Sequence, residues 1–312
     1  MKITTIIPTY RRPHDLRRCL LALIHQVRPS DEIIVVIRDT DVDTRNFLEE
    51  FECKDIPLKI ATISVSGVVA AMNLGLEKSI GDIVAFTDDD AVPHLDWLEK
   101  IEQCFLQDES IGGVGGRDWQ YRDSRLLEAN QATVGKLQWF GRVIGNHHIG
   151  FGEAREVDVL KGVNMSFRRD AIRGMSFDSR MKGTGAQVHF ELAFCLTLRK
   201  TGWKLIYDPQ IIVDHYPSQR FDEDQRRKFN EIAFFNAVHN ETLALLEYLS
   251  PVRKVIFLFW SFLIGTRSSF GLLQFLRFLP QEGLIVAHKL IISTKGRWQG
   301  WLTLTRTELL KG

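Results

Sequence analysis

Ile83 to Pro93 reads IVAFTDDDAVP. Five residues suited to a buried strand run into three consecutive carboxylates, Asp88, Asp89 and Asp90, and Pro93 stops regular structure. Like charges cost free energy to hold side by side, so the triplet needs a reason. Side chains alternate across a strand, so an extended triplet sends Asp88 and Asp90 one way and Asp89 the other. Two carboxylates on one side form an oxygen-rich site for magnesium or manganese, which bind through one or two carboxylates and the phosphates of a substrate. A solvated turn or a helix N-cap is the plainer alternative, since Asp favours both and acids suit the start of the helix that follows.

The flanking sequence decides what kind of strand this is. Ile3 to Pro8 is a β-branched run ended by Pro8. In DLRRCLLALIHQV, Leu16, Cys19, Leu20, Leu23, Ile24 and Val27 recur at helical spacing. EIIVVIRD is a second apolar run without alternation, as in parallel strands covered on both faces. After KIATISV, Ser66 is placed to cap a helix over GVVAAMNLGLEKS, and Leu95, Leu98, Ile101 and Phe105 mark another after the triplet. Strand and helix alternate, which predicts an α/β domain with a mainly parallel sheet flanked by helices. Ligands of such sheets bind beyond the carboxyl ends of the strands, so PTY at 8–10, RDTD at 38–41 and TDDD at 87–90 are candidate site segments.

Further along, IGGVGGR neither follows the first strand nor opens a helix. It reads as a strand with close backbone neighbours rather than a dinucleotide loop. Phe190 to Lys200 predicts a helix stopped at Gly202. WKLIYDP and IIVDHYP read as two strands, and the chain is helical from Arg226 onward.

Composition excludes several classes. The 312 residues are 45% hydrophobic and 25% charged, the balance of a globular protein. The net charge of +1 argues against a nucleic-acid binder. Cys19, Cys53, Cys104 and Cys195 are far apart, so a disulfide framework or a zinc site is not expected. MKITTIIPTY is too short and β-branched for a signal peptide, which suggests a cytoplasmic protein and makes the N-x-S/T matches at Asn164 and Asn240 chance hits.

The segments IIPTYRRPHDLRRCL, EIIVVIRDTD, GVVAAMNLGLEKSIGDIVAFTDDDAVP and GWKLIYDPQIIVDHYP together resemble inverting nucleotide-sugar glycosyltransferases of family 2, over roughly residues 1 to 220. The resemblance implies a GT-A fold and transfer of a sugar from a nucleotide-diphosphate donor, a UDP-sugar by family likeness, to a glycan or lipid-linked acceptor by single displacement. It implies that Asp88 and Asp90 hold Mg²⁺ or Mn²⁺ and the donor diphosphate, with His215 a further ligand. It places nucleotide contacts at Pro8, Thr9, Tyr10, Arg12, Asp39, Asn73 and Asp89. Met72 stands where the family's A-R-N-x-G segment has arginine, and Arg11 or Arg12 could substitute. The family's base belongs to an E-D pair near a helix start; GTGAQVHFELAFCLTLRKTGW has no such pair, which leaves Glu191 as the catalytic base and His189 as the alternative. Lys161 and Arg220 are further phosphate or acceptor contacts to consider, and His147 and His148 lie in a glycine-rich loop. The absent pair and arginine also admit a non-catalytic nucleotide-sugar-binding or scaffold protein with a degenerate site.

These segments divide the chain into a transferase domain over 1–225 and a helical, apolar region over 226–312. Within the second, 251–279 is apolar and aromatic, but its uncharged run of 12 residues, Val255 to Thr266, is shorter than the ~20 a spanning helix needs. With Arg253, Lys254, Arg267 and Arg277 flanking it, the segment suits peripheral contact with a membrane, at its cytoplasmic face; packing against protein is the alternative. TKGRW at 294–298 lacks the glutamine of the Q-x-x-R-W element of processive synthases, which favours single transfer.

Overall fold

A computed structural model of the chain describes residues 1–53, 55–122, 125–127, 129–225 and 229–311. Along it run β1 (Ile3–Pro8), α1 (Pro13–Ile24), β2 (Glu32–Arg38), α2 (Val42–Glu50), β3 (Leu58–Ile63), α3 (Val68–Lys78) and β4 (Ile83–Thr87). Then come β5 (Ala91–Pro93), α4 (Trp97–Gln107), β6 (Ile111–Arg122), β7 (Arg125–Leu126), β8 (Lys136–Leu137) and β9 (Val143–Ile144). β10 (Arg155–Val157), β11 (Asn164–Arg168), α5 (Phe190–Lys200) and β12 (Lys204–His215) complete the main sheet. The C-terminal elements are α6 (Glu231–Tyr248), α7 (Pro251–Leu263), β13 (Gly265–Thr266), β14 (Ser269–Phe270), α8 (Leu272–Glu282) and α9 (Ile285–Lys311).

The sheet runs β10-β12-β6-β11-β4-β1-β2-β3, with β5 on β12 and β7 on β6. Its first half is parallel: β1 pairs with both β2 and β4, and β2 with β3. The second half is mixed, because β11 runs antiparallel between β4 and β6 while β12 is parallel to β6. The unalternating apolar runs follow from two covered faces. Ile6, Ile34, Val36, Val84 and Phe86 face a core built with α3 and α5. Ile7, Ile33, Val35, Ile37, Ile83 and Ala85 face a second core built with α1 and α4. The first core continues into Leu243, Leu245 and Leu246 of α6, Phe257 of α7 and Leu304 of α9.

Several local expectations change in the folded chain. α3 starts after Gly67 with no side-chain cap, so Ser66 does not cap it. Val27 and Leu95 lie outside their helices, both exposed, where the Val27 amide donates to the Leu95 carbonyl. WKLIYDP and IIVDHYP form one strand, β12, whose register against β6 shifts between Asp208 and Ile212, the stretch that holds Pro209. A proline has no N–H to give a ladder, and a bulge needs none there. The expected start of the C-terminal region at residue 226 lies outside the described residues.

Candidate active site

The carboxyl ends of β1, β2 and β4 open into a cleft of about 740 Å³. Pro8, Thr9, Tyr10 and Arg12 line it from the first loop, and Asp88, Asp90, His215 and Glu191 from other elements. The triplet is not extended as strand alternation would require: it forms a turn after β4, in which the Ala91 amide donates to the Asp88 carbonyl at 3.2 Å, and Asp88 and Asp90 line the cleft while Asp89 does not. Asp89 is buried beneath the first loop, where it accepts from Thr9 Oγ1 at 2.6 Å and pairs with Arg12 at 2.8 Å. Burial pushes its carboxyl up to about 7, against the pull of Arg12 and with Asp90 adding to the rise. Asp90 takes Arg12 at 3.2 Å and the Ser218 amide at 3.0 Å.

His215 reaches this group through strand pairing. β5 lies antiparallel on the end of β12, with His215 opposite Ala91, so the imidazole arrives beside the carboxylate that precedes Ala91. Its Nε2 stands 3.4 Å from Asp90 and its Nδ1 3.6 Å from Asp118, a buried β6 carboxylate. Burial alone would lower the His215 pKa, but Asp118 and Asp90 outweigh it and raise the value to about 9. One ligand atom each from Asp88, Asp90 and His215 lies within 4.8 Å of the others. Two carboxylates and an imidazole at that spacing fit a hard divalent cation, whose charge would relieve the crowded acids.

Glu191 is buried at the second position of α5, where the helix dipole favours an anion. Lys161 Nζ lies 3.3 Å from its Oε1, while Oε2 is buried without a hydrogen bond among the described residues. Burial would raise the Glu191 carboxyl, but Lys161 and His189 outweigh it and hold it below the usual carboxylate range. The Lys161 ammonium is raised in turn, chiefly by Glu191. His189 precedes the helix with φ of 74°, a left-handed conformation, and does not line the cleft. His147 is buried and faces the Val159 carbonyl at 2.8 Å, a packing role within the fold.

The expected nucleotide contacts Asp39, Asn73 and Asp89 do not line the cleft either. Asp39 is exposed past the end of β2, and its neighbour Arg38 lines the cleft instead, 5.5 Å above the Tyr10 ring. Asn73 spends both ends of its amide on the Phe177 backbone, accepting at 2.7 Å and donating at 2.9 Å. Met72, where the resemblance expects arginine, is buried in the core. Sequence reading missed Asp118, and within the RDTD segment it chose Asp39 rather than Arg38 as the nucleotide contact. Asp118 follows a glycine run taken for packing, and only the β6–β12 register shows it beside His215.

A doubly covered sheet with an acid-lined cleft at its strand ends defines a GT-A-type transferase. A model described as "Glycosyl transferase family 2" matches residues 4–175, and the chain belongs to that family. It is 25% identical over 225 residues to the glucosyl-dolichyl phosphate glucuronosyltransferase of Haloferax volcanii, covering 69% of each chain. It is also 25% identical over 233 residues to glycosyltransferase AglE of the same organism, covering 73% of this chain and 70% of that one. Among solved structures, S. aureus TarS 1–349 in complex with UDP-GlcNAc superposes with a TM-score of 0.63 at 17% identity, covering 96% of this chain and 81% of that one. The mannosyltransferase PcManGT from Pyrobaculum calidifontis, in complex with GDP-Man and Mn²⁺, gives 0.54 at 16% identity, covering 99% and 80%. The solved structures share the fold, and the relatives are glycosyltransferases. The chain is an enzyme of the transferase class, and the non-catalytic alternative is not favoured.

Proposed function

We propose that the chain is a metal-dependent inverting glycosyltransferase that moves a sugar from a nucleoside-diphosphate donor, a UDP-sugar, to a hydroxyl of a lipid-linked or glycan acceptor. Residues 1–225 carry the transfer, and 226–312 form a helical region that brings the enzyme to the cytoplasmic face of a membrane through 251–279. Supporting the donor class are the cleft's size and the UDP-GlcNAc and GDP-Man held by the two structural neighbours. The lipid-linked acceptor draws on the dolichyl phosphate in the name of one relative. The cytoplasmic placement draws on four cysteines that are all unbonded.

In this reading Pro8, Thr9 and Tyr10 receive the nucleoside, with Arg38 over the Tyr10 ring. Asp88, Asp90 and His215 would hold Mg²⁺ or Mn²⁺, which when bound would supply Lewis-acid charge at the diphosphate. Glu191 takes the proton of the acceptor hydroxyl through Oε2, while Lys161 holds Oε1. The freed oxygen bonds to the anomeric carbon as the bond from that carbon to the diphosphate oxygen breaks. Configuration inverts, and the nucleoside diphosphate leaves.

The observation that carries the reading is a buried carboxylate, held below the usual carboxylate range by Lys161 and His189, with one oxygen unpartnered among the described residues and lining the same cleft as Asp88, Asp90 and His215. The test compares the parent with Glu191→Gln, using UDP-sugars and Mn²⁺. Donor binding should persist, and transfer should fall about 10²- to 10⁴-fold, the usual contribution of a general base. Transfer at the parent rate would remove Glu191 from that role.

A further inference from the structure

Charge is segregated along this chain. Residues 251–307 hold eight Lys and Arg and a single acid, Glu282, although the whole chain carries only +1. The remainder is therefore net negative. Glu282 is taken up by Lys289 at 2.5 Å and Arg267 at 3.5 Å. The basic segment also exposes apolar side chains. α8, LLQFLRFLPQE, buries none of its residues, and Leu273 and Leu276 are 52% and 63% exposed. On α7, Val252, Val255, Phe259 and Phe262 stand exposed at i, i+3, i+7 and i+10, while Phe257 and Ser261 on the other side are buried.

These elements touch one another. α7 contacts α8 and the β13–β14 hairpin, and α8 contacts β13. The turn between β8 and β9 joins them: Phe257 lies against Gly141, and Arg253 donates to the Trp139 carbonyl at 2.7 Å. Trp139 itself is 65% exposed. Arg267 and Arg277 both lie over the Phe278 ring, cations set among apolar groups.

We propose that α7, α8 and the Trp139 turn form a docking surface for an anionic lipid bilayer, with α8 lying in the interfacial plane. Water is a poor environment for so much contiguous leucine and phenylalanine, and such patches mark interaction sites. The charge selects the occupant. A second copy placed face to face would set like charges together, whereas anionic headgroups complement the basic residues and acyl chains accept the leucines. Among the described residues no helix is long and apolar enough to cross a membrane. The proposal names the partner of the membrane-acceptor reading above and rests on it for its purpose, though its test needs no sugar transfer.

The full-length chain is sedimented with vesicles of phosphatidylcholine alone and with about 30% phosphatidylglycerol. Wild type should bind the anionic vesicles about tenfold or more tightly than the neutral ones, and lose that preference in high salt. Leu273→Glu with Leu276→Glu should abolish sedimentation while leaving the thermal shift with UDP and Mn²⁺ intact, which shows that the fold and cleft survive. Lys254→Gln with Arg277→Gln, which leaves the apolar face alone, should weaken binding about tenfold. Absence of wild-type binding to anionic vesicles overturns the proposal. So does equal binding by the leucine variant, or a wild-type dimer in light scattering that this variant splits. If sedimentation succeeds but no UDP-sugar is transferred, the catalytic reading fails and the docking surface stands.

Discussion

Lys161 and Glu191 are 30 positions apart and 3.3 Å apart in space. Burial works to raise the Glu191 carboxyl, and the ammonium is the chief force opposing it. A depressed carboxyl contributes stability above its ordinary value, ~4.3, and loses it as pH falls through the folded value. In Lys161→Met the burial is no longer offset, so the Glu191 pKa rises. The acid limb of the kcat/KM profile should then move to higher pH, and an unshifted limb would show that Lys161 does not hold the base ionised. Asn73 makes a contrasting case. The resemblance assigns it to the nucleotide, but its amide closes on the Phe177 backbone. Asn73→Ala should therefore cost about 1–3 kcal/mol of stability, read as a lower denaturant midpoint, and leave UDP affinity unchanged. The place of Glu191 in the first turn of α5 was legible in the sequence. Lys161 was considered only as a phosphate or acceptor contact, and its pairing with Glu191 was not legible, because no local pattern separates a cation facing a carboxylate from one facing water.

At the scale of elements, β6 is tightly constrained, because its glycine run lets neighbours approach its backbone. A Cβ on Gly116 would sit 1.8 Å from the Ile211 carbonyl oxygen, and one on Gly113 2.6 Å from a Leu205 methyl. Gly116→Ala must push β12 away at its bulge, and β12 carries His215. The expected cost is on the order of 3 kcal/mol, read as a fall in Tm, and metal affinity should weaken with it. Sequence reading anticipated this strand and its close packing. α5 matches its predicted bounds, Phe190–Lys200, because an apolar periodicity and a glycine stop are both local signals. The two strands read around Pro209 are one, since a bulge depends on the partner strand and leaves little trace in its own residues.

For the whole molecule, the cleft gathers groups from β1, β2, the turn after β4, β12 and α5 at one rim of the sheet. A ligand that binds only the folded state adds stability by mass action, about 2.7 kcal/mol at a hundredfold excess over Kd. UDP with Mn²⁺ should accordingly raise Tm more than UDP alone. Asp88→Asn should erase the increment due to metal, and survival of that increment would exclude Asp88 from the cation site.

Sequence by itself determined the alternation of β1, α1, β2, α3, β4 and α4, the covering of both sheet faces there, and the strand ends that line the cleft; it did not show β11, which lies antiparallel between β4 and β6. Hydrophobic period, caps and breakers act over a few residues and can be read from them. Tertiary structure alone decided that His215 stands between Asp90 and Asp118, that Lys161 faces Glu191, and that Asn73 and Asp39 lie off the cleft. Those outcomes depend on strand register and on contacts between residues tens of positions apart. Burial and the nearest charge then set what each group can do, and neither is a property of the residue's own stretch of chain.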